Sequence, residues 1–251
     1  MSMQRIYGIH AVESLLRRDP GAITRLLVQK GRNDRRRAAL VGLAREQNVS
    51  VEFAPRETLD ELVEGRHQGV VAETNPATDG TDTGLGWREA DLLAHVEQSA
   101  APVLLLVLDG VTDPHNLGAC LRSADAAGVD AVIAPKDRSA SLTPVARKVA
   151  CGAADTVPFV QVTNLRRTLD ALKARGVWLY GAAGEAEISL YDNDLKGSLA
   201  LVLGAEGAGL RRLTREACDV LVHLPMAGAV SSLNVSVAAG VCLFEAVRQR
   251  R

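Results

Sequence analysis

Three stretches of the chain gather polar residues and glycines at the ends of apolar runs. The first is LDGVTDPHNLGACLRSADAAG, residues 108–128, where Asn116 and Arg122 stand out in an otherwise apolar helical pattern. An amide can orient a hydroxyl, and a guanidinium can hold an anion. Plainer uses are a helix cap for Asn116 and a surface ion pair with Asp125 or another acid for Arg122. The second is LALVLGAEGAGL, residues 199–210, with Gly204, Gly207, Gly209 and a carboxylate at Glu206. Glycines let a flat ligand or a second backbone approach closely. The order is G-x-x-G-x-G, the reverse of the dinucleotide fingerprint G-x-G-x-x-G, and Glu206 would repel a phosphate. A tight strand-to-helix turn is the plainer use of this loop, with Glu206 complementing the next helix N-terminus. The third is LPMAGAVSSLNVSVAAGVCLFEAV, residues 224–247, where Ser231, Ser232, Asn234 and Ser236 crowd the start of an apolar helix. Capping requires one such group, so the surplus asks for a ligand.

The elements that must carry these loops alternate. Continuous apolar runs such as PVLLLVLDG, DAVIAP, GVWLYGAA, LALVLGAE and VLVHLP, together with DTVPFVQV, predict six strands. Helical patterns separate most of them. Strands without a polar alternation are covered on both faces, which predicts a largely parallel α/β sheet. In such sheets ligands bind beyond the carboxyl ends of the strands, where all three stretches fall. The N-terminal part is a smaller α/β region. YGIHAVESLLRR reads as a helix with Ile9, Val12, Leu15 and Leu16 on one face, and NDRRRAALVGLAREQ as a helix begun by an Asn or Asp cap. ITRLLVQK, VSVEFA and QGVVAET read as strands, and RETLDELV as a short helix. The Thr-, Asp- and Gly-rich stretch NPATDGTDTGLG marks a linker. The expected division is 1–75, a linker at 76–88, and 89–251.

Composition narrows the chemistry. With 251 residues, 47% of them hydrophobic, the chain can bury a substantial core. Residues 1–75 hold 12 basic against 10 acidic side chains, and the remainder 17 against 20. No basic tail exists, but Arg32, Arg35, Arg36 and Arg37 cluster, either as a solvated helix face or as a phosphate contact. Aromatic residues make up only 3%, which disfavours base stacking as the main binding mode. Cys120, Cys151, Cys218 and Cys242 form no C-x-x-C pair, so no metal is expected and the thiols read as cytosolic. No signal segment or membrane span is read. From the residues alone the reading stops at an α/β protein binding a nucleotide-like ligand through glycine-bearing loops.

Taken together, the three stretches resemble the motifs of the SpoU branch of the SPOUT superfamily. Asn116-Leu-Gly118-Ala-Cys-Leu-Arg122 is similar to its first motif. Leu203-Gly204-Ala205-Glu206-Gly207-Ala-Gly209-Leu210 is similar to its second, with Ala205 where many members have Asn. Leu224-Pro225-Met226 through Ser231-Ser232-Leu233-Asn234-Val235-Ser236 is similar to its third. The first 75 residues, including His67-Gln68-Gly69, resemble the ribosomal-protein-L30e-like RNA-binding domain that many such enzymes carry. The stretches around KVACGAA and AGAVSSLNVSVAAGVCLFEAVRQR are most similar to the branch acting on a guanosine in the peptidyl-transferase P-loop of bacterial 23S ribosomal RNA.

This resemblance implies an α/β fold with a deep trefoil knot in a C-terminal SPOUT domain. It implies methyl transfer from S-adenosyl-L-methionine to a ribose 2'-hydroxyl, in a cytoplasmic homodimer that pairs through the C-terminal domain. Backbone groups at Gly204, Leu224 and Leu233 would contact the cofactor, with Leu203, Met226 and Ser231 beside them. Arg122 would act on the 2'-hydroxyl, across the dimer. Because arginine resists deprotonation, holding a phosphate and stabilising the forming alkoxide suit it better than acting as a base. Asn116, Glu206, Ser232 and Asn234 would fix the ribose and the loops, and the Arg32–Arg37 cluster would meet RNA phosphates. Other members methylate other ribosomal or transfer RNA sites. A catalytically silent RNA-binding protein and a nicotinamide-dependent oxidoreductase are the rival classes. The assembled polar set argues against the first and the glycine order against the second.

Overall fold

The computed structural model describes residues 4–18, 20–31, 34–63, 67–74 and 87–251. Its contacts divide the chain into two units, Met1–Thr81 and Asp82–Arg251. Most of the linker expected at 76–88 lies outside the described residues.

In the first unit a four-stranded sheet has the order β1-β4-β2-β3. Its strands are β1 (Gln4–Tyr7), β2 (Ile23–Gln29), β3 (Val51–Ala54) and β4 (Val70–Thr74). β4 runs antiparallel to both β1 and β2, and β2 runs parallel to β3. The expected helices are α1 (Ile9–Arg18), α2 (Arg35–Glu46) and α3 (Arg56–Leu62). Ile9, Val12, Leu15 and Leu16 of α1 are all buried, in one cluster with Leu26, Val28, Leu40 and Ala72. α2 starts at Asp34, whose side chain accepts a hydrogen bond from Arg36 N. β1 is an addition to the sequence reading, which merged its tail into the following helix. Four residues leave too little alternation to detect.

The second unit holds a seven-stranded, wholly parallel sheet of order β7-β6-β5-β10-β8-β11-β9. All six expected strands are present: β5 (Leu104–Asp109), β6 (Ala131–Pro135), β7 (Phe159–Val162), β8 (Trp178–Ala182), β10 (Leu199–Gly204) and β11 (Val220–His223). The two-residue β9 (Ile188–Ser189) and α4 (Glu89–Gln98) are additions. The remaining helices are α5 (Pro114–Ala127), α6 (Pro144–Ala150), α7 (Ala153–Thr156), α8 (Leu165–Lys173), α9 (Arg212–Ala217) and α10 (Val235–Arg250).

Side-chain alternation sorts this sheet into two cores. Leu104, Leu106, Leu108, Leu201 and Leu203 pack with Leu117 and Leu121 of α5 and Leu243 of α10. Leu105, Val107, Ile133, Ala200 and Val202 pack with Leu92 of α4, Leu169 of α8 and Ala217 of α9. Both faces are covered, which is why the strands read as unbroken apolar runs. Each fully buried leucine contributes about 2 kcal/mol of transfer free energy.

Two helix boundaries correct the sequence reading. TPVARKVACGAA is two helices, broken where Cys151 (φ 54°) and Gly152 (φ 97°) enter the left-handed region. α5 begins at Pro114 under an Asp113 cap that accepts from His115 N at 2.8 Å, so Asn116 is not the cap and its amide is available for other work.

Candidate active site

The carboxyl ends of β8, β10 and β11 and the loops leaving them enclose a cavity of about 750 Å3. Every residue expected at the cofactor lines it: Leu203, Gly204, Leu224, Met226, Ser231 and Leu233. Glu206, Ser232 and Asn234 line it too. The sequence reading missed the β8 side, Ala182 to Glu185, and the residues Arg215 and His223.

The glycine loop is shaped by its own chain. A Cβ on Gly204 would stand 2.1 Å from the carbonyl carbon and oxygen of Gly209 and 2.4 Å from Leu210 N. Gly209 N donates to Ala205 O at 2.9 Å, closing the turn, and Gly207 and Gly209 have φ of 75° and 67°. The loop is then anchored to the neighbouring strand. Asp109, fully buried at the end of β5, accepts from Arg211 N at 2.9 Å and from the Arg211 guanidinium. That ion pair links residues 102 apart, and no local signal in the sequence announces it.

The three stretches meet at one carboxylate oxygen. Oε1 of Glu206 accepts from Asn234 Nδ2 at 2.5 Å, from Asn116 Nδ2 at 3.3 Å and from Val235 N at 3.3 Å. Asn234 Nδ2 gives its second hydrogen to Asn116 Oδ1 at 3.0 Å. Asn234 Oδ1 accepts from Ser236 N at 2.9 Å and Ser236 Oγ at 2.6 Å, which makes Asn234 both the cap of α10 and a member of the cluster. The donors and acceptors are mutually consistent, so the amide orientations of Asn116 and Asn234 are fixed by the network. Glu206 does not serve the N-terminus of the next helix, α9, but meets the first N–H of α10. It ties the start of α5 to the start of α10.

Arg122 stands apart. Its side chain is exposed, does not line the cavity, and donates to Cys151 Sγ at 3.7 Å. It faces no carboxylate among the described residues. Asp125, its expected partner, instead accepts from Thr156 Oγ1 at 2.5 Å. The surface ion pair is therefore replaced by an unneutralised guanidinium. Its position rests on a close helix contact: a Cβ on Gly118 would stand 2.5 Å from Ala146 O and 2.7 Å from Val149 Cβ. Ser232 is exposed at the cavity rim.

Charge at the cavity mouth is organised by Arg215 and Glu185, which form an ion pair that holds the Glu185 carboxyl below its ordinary range. Burial pushes the Cys120 and Cys242 thiols up to about 12, so neither is a nucleophile near neutrality. Among the described residues no group of three or more His, Cys, Asp or Glu side chains is placed to hold a metal ion, and no helix is long and apolar enough to cross a membrane.

The arginine cluster in the first unit is split. Arg35 and Arg36 are exposed on the first turn of α2. Arg37 is 4% exposed and packs under the turn before β4, where a Cβ on Gly69 would meet its Nη1 at 2.6 Å. It offers no surface to a phosphate, which corrects its assignment. Arg32 lies outside the described residues. Beside Arg37, the His67-Gln68-Gly69 turn is locked. Gly69 N donates to His67 Nδ1 at 3.0 Å, and His67 Nε2 meets Asp60 Oδ1 at 2.8 Å. Gln68 Oε1 accepts from Ile9 N at 3.0 Å, joining the turn to the start of α1.

Residues 5–79 match the RNA 2'-O ribose methyltransferase substrate-binding model. The chain is 59% identical over 248 residues to the 23S rRNA (guanosine-2'-O-)-methyltransferase RlmB of Pseudomonas syringae pv. tomato, covering 99% of this chain and 96% of that protein. It is 55% identical over 248 residues to RlmB of Escherichia coli K12, covering 98% and 99%. Among solved structures, the SpoU methyltransferase AviRb from Streptomyces viridochromogenes in complex with the cofactor AdoMet superposes with a TM-score of 0.73 at 26% identity, over 99% of this chain and 90% of that one. The model of the SpoU rRNA methylase family matches residues 103–244, which contain every residue of the cavity and of the Asn116–Glu206–Asn234 cluster, and the chain belongs to that family.

Proposed function

We propose that this protein transfers a methyl group from S-adenosyl-L-methionine to the ribose 2'-hydroxyl of a guanosine in 23S ribosomal RNA. The observation that carries the reading is the convergence of Asn116, Glu206 and Asn234 beside a cavity whose walls fit the cofactor. The cavity lies within the usual range for small-ligand sites, roughly 300–1,000 Å3. Its walls are backbone and apolar side chains, suited to a neutral adenosine. Glu185 on its rim is paired with Arg215, which leaves the carboxylate of Glu206 as the acidic group suited to a cation. Gly204, Leu224 and Leu233 would hold the adenosine through backbone groups, beside Leu203, Met226 and Ser231. When bound, the cofactor supplies an electrophilic methyl group on a sulfonium.

The chain's own residues do the rest. Asn116, Asn234 and Ser232 present short polar groups that orient the ribose next to the cavity. Glu206 keeps two of these loops in register through one oxygen. Arg122 binds the adjoining phosphate and stabilises the negative charge developing on the 2'-oxygen. Its absence from the lining of its own cavity supports action at the cavity of a second copy. The exposed apolar side chains Val237 and Phe244 on α10 support a homodimer formed through the C-terminal unit. The threaded C-terminal knot implied by the family resemblance belongs to the same proposal, as does action in the cytoplasm, where the ribosomal RNA is. The N-terminal unit would bind RNA through Arg35 and Arg36, with Arg32 beside them in sequence.

Arg122→Ala tests the assignment. Turnover on a 23S fragment should fall by well over tenfold, more than 1.4 kcal/mol of transition-state stabilisation, while S-adenosylhomocysteine affinity by calorimetry stays within twofold. Turnover within tenfold of the parent would refute the role given to Arg122. Absence of S-adenosylhomocysteine binding to the parent protein would refute the cofactor reading itself.

A further inference from the structure

Most cations of the second unit are neutralised. Arg147, Arg167, Lys173, Arg211, Arg215 and Arg248, among others, each face a carboxylate within the unit. Lys136, Arg138 and Lys148 are exposed and face none among the described residues. Asp137, between the first two, pairs with neither. Lys196 and Arg251 are likewise exposed with no carboxylate partner among the described residues, but Lys136, Arg138 and Lys148 fall together on one loop and the helix it feeds.

The loop carrying Lys136 and Arg138 leaves the carboxyl end of β6 and is stitched to the loop that leads into α5. Ala140 N donates to Val111 O at 2.7 Å, Ser139 Oγ donates to Val111 O at 3.2 Å, and Arg138 O lies 3.9 Å from where a Cβ on Gly110 would be. The same loop feeds α6, which begins at Pro144. Lys148 lies one helical turn later, about 6 Å of rise. Its carbonyl accepts from Cys151 Sγ at 3.7 Å, and that sulfur in turn accepts from Arg122. Lys136 and Arg138 thus stand on the loop bonded to the lead-in of α5, and Lys148 is linked through Cys151 to the unpaired Arg122 of that helix.

Leaving exposed cations unpaired forgoes only the small gain of surface ion pairs, but it preserves their full charge for a polyanion. We infer that Lys136, Arg138 and Lys148 form a phosphate track on the methyltransferase unit, which holds the RNA backbone flanking the target ribose. This rests on the proposed function and adds to it a second RNA-binding surface, distinct from the N-terminal unit. The track gives affinity and register rather than base identity.

The test uses the full-length protein and a 23S ribosomal RNA fragment containing the target guanosine. Binding is followed by fluorescence anisotropy between 50 and 300 mM salt. Lys136→Gln/Arg138→Gln should lower affinity about tenfold at 100 mM salt and flatten the log–log salt slope by about 1.4 to 1.8, the release expected for two phosphates. Lys148→Gln should flatten it by roughly half as much. S-adenosylhomocysteine affinity should not change. Lys196→Gln removes an exposed cation before β10 and serves as the control for bulk charge. An unchanged slope in the double variant, or an equal change in the Lys196 variant, overturns the track. The two readings fail separately. A parent protein that does not methylate the fragment, yet shows the slope changes, refutes the activity and keeps the track. Full methylation with an unchanged slope refutes the track alone.

Discussion

Replacing Glu206 decides whether its carboxylate is a base or a brace. Its Oε1 accepts three hydrogen bonds, one short and two long, in an exposed setting. Hydrogen bonds of this kind contribute about 0.7–1 kcal/mol each after solvent competition. Glu206→Ala removes all three and frees the starts of α5 and α10 from the glycine loop. The loss is about 2–3 kcal/mol, or roughly 30- to 150-fold in turnover if the aligned loops are what the reaction needs. Glu206→Gln keeps a carbonyl oxygen in the same place. It can accept the same three hydrogens and forfeits only the charge assistance, about half of the interaction. That predicts a loss of about 1–1.5 kcal/mol, roughly five- to twelvefold. A general base behaves otherwise, because an amide cannot take up the proton, and both variants would then lose on the order of 100- to 10,000-fold. The assay is steady-state methyl incorporation into a 23S fragment at saturating cofactor, with S-adenosylhomocysteine affinity measured in parallel. If the Gln variant is as impaired as the Ala variant while both still bind S-adenosylhomocysteine, the bracing argument is wrong.

Other consequences follow from the same geometry. Gly204→Ala places a methyl group 2.1 Å from the Gly209 backbone, so S-adenosylhomocysteine binding should be lost. Gly207→Ala meets open space and only the strain of φ 75°, about 1 kcal/mol, and should bind within about tenfold of the parent by calorimetry. Asp109→Asn leaves Arg211 without its buried counter-charge, which should cost about 3 kcal/mol and lower the midpoint of thermal unfolding by roughly 6–12 °C; an unchanged midpoint would show the pair to be dispensable. Hydrogen bonds from Arg248 and then Gln249 hold the Glu245 carboxyl down at about 2 against an ordinary 4.5. A carboxyl with a depressed folded-state pKa stabilises above its unfolded value, so this contribution is complete above pH 4.5 and fades as pH falls towards 2. Hydrogen-exchange protection factors at the end of α10, taken against the intrinsic rate at each pH, should fall in that window, and Glu245→Gln should abolish the dependence.

The strands of the second unit were legible because both faces of the sheet are buried, leaving no polar residue to disguise Leu104–Leu108 or Leu199–Leu203. Short elements were not. β1 has four residues and β9 two, and α4 buries a single leucine, Leu92, so none carries a period long enough to read. The break in TPVARKVACGAA was half visible in Gly152, but Cys151 at positive φ gives no warning in sequence. Type and spacing marked the glycines and the surplus polar groups of the second and third motifs, which line the cavity, while its leucines and Met226 were named only through the family resemblance. Arg37 was not, since a buried and an exposed arginine look alike in a run of three. Its burial depends on the Gly69 turn 32 residues away, whose missing side chain leaves room for the guanidinium.

The glycine loop carries the deeper lesson about reading function from spacing. In a phosphate-binding loop glycine exists for the ligand, which must approach backbone N–H groups. Here Gly204 exists for Gly209 and Leu210, and Gly207 and Gly209 for a turn that only positive φ allows. The loop folds onto itself and presents one wall to the cavity and one carboxylate to its neighbours. That carboxylate accepts hydrogens from two amides, Asn116 and Asn234, and each lies at the start of a helix that packs on β6 or β10. A negative charge in a glycine loop is repulsive only if the ligand is a phosphate. Beside a pair of amide donors it is favourable, and a cationic ligand in the cavity would add to that. The reversed glycine order and the misplaced acid are therefore one feature. The turn must close within five residues of the strand, and its tip must reach two helix starts instead of a diphosphate.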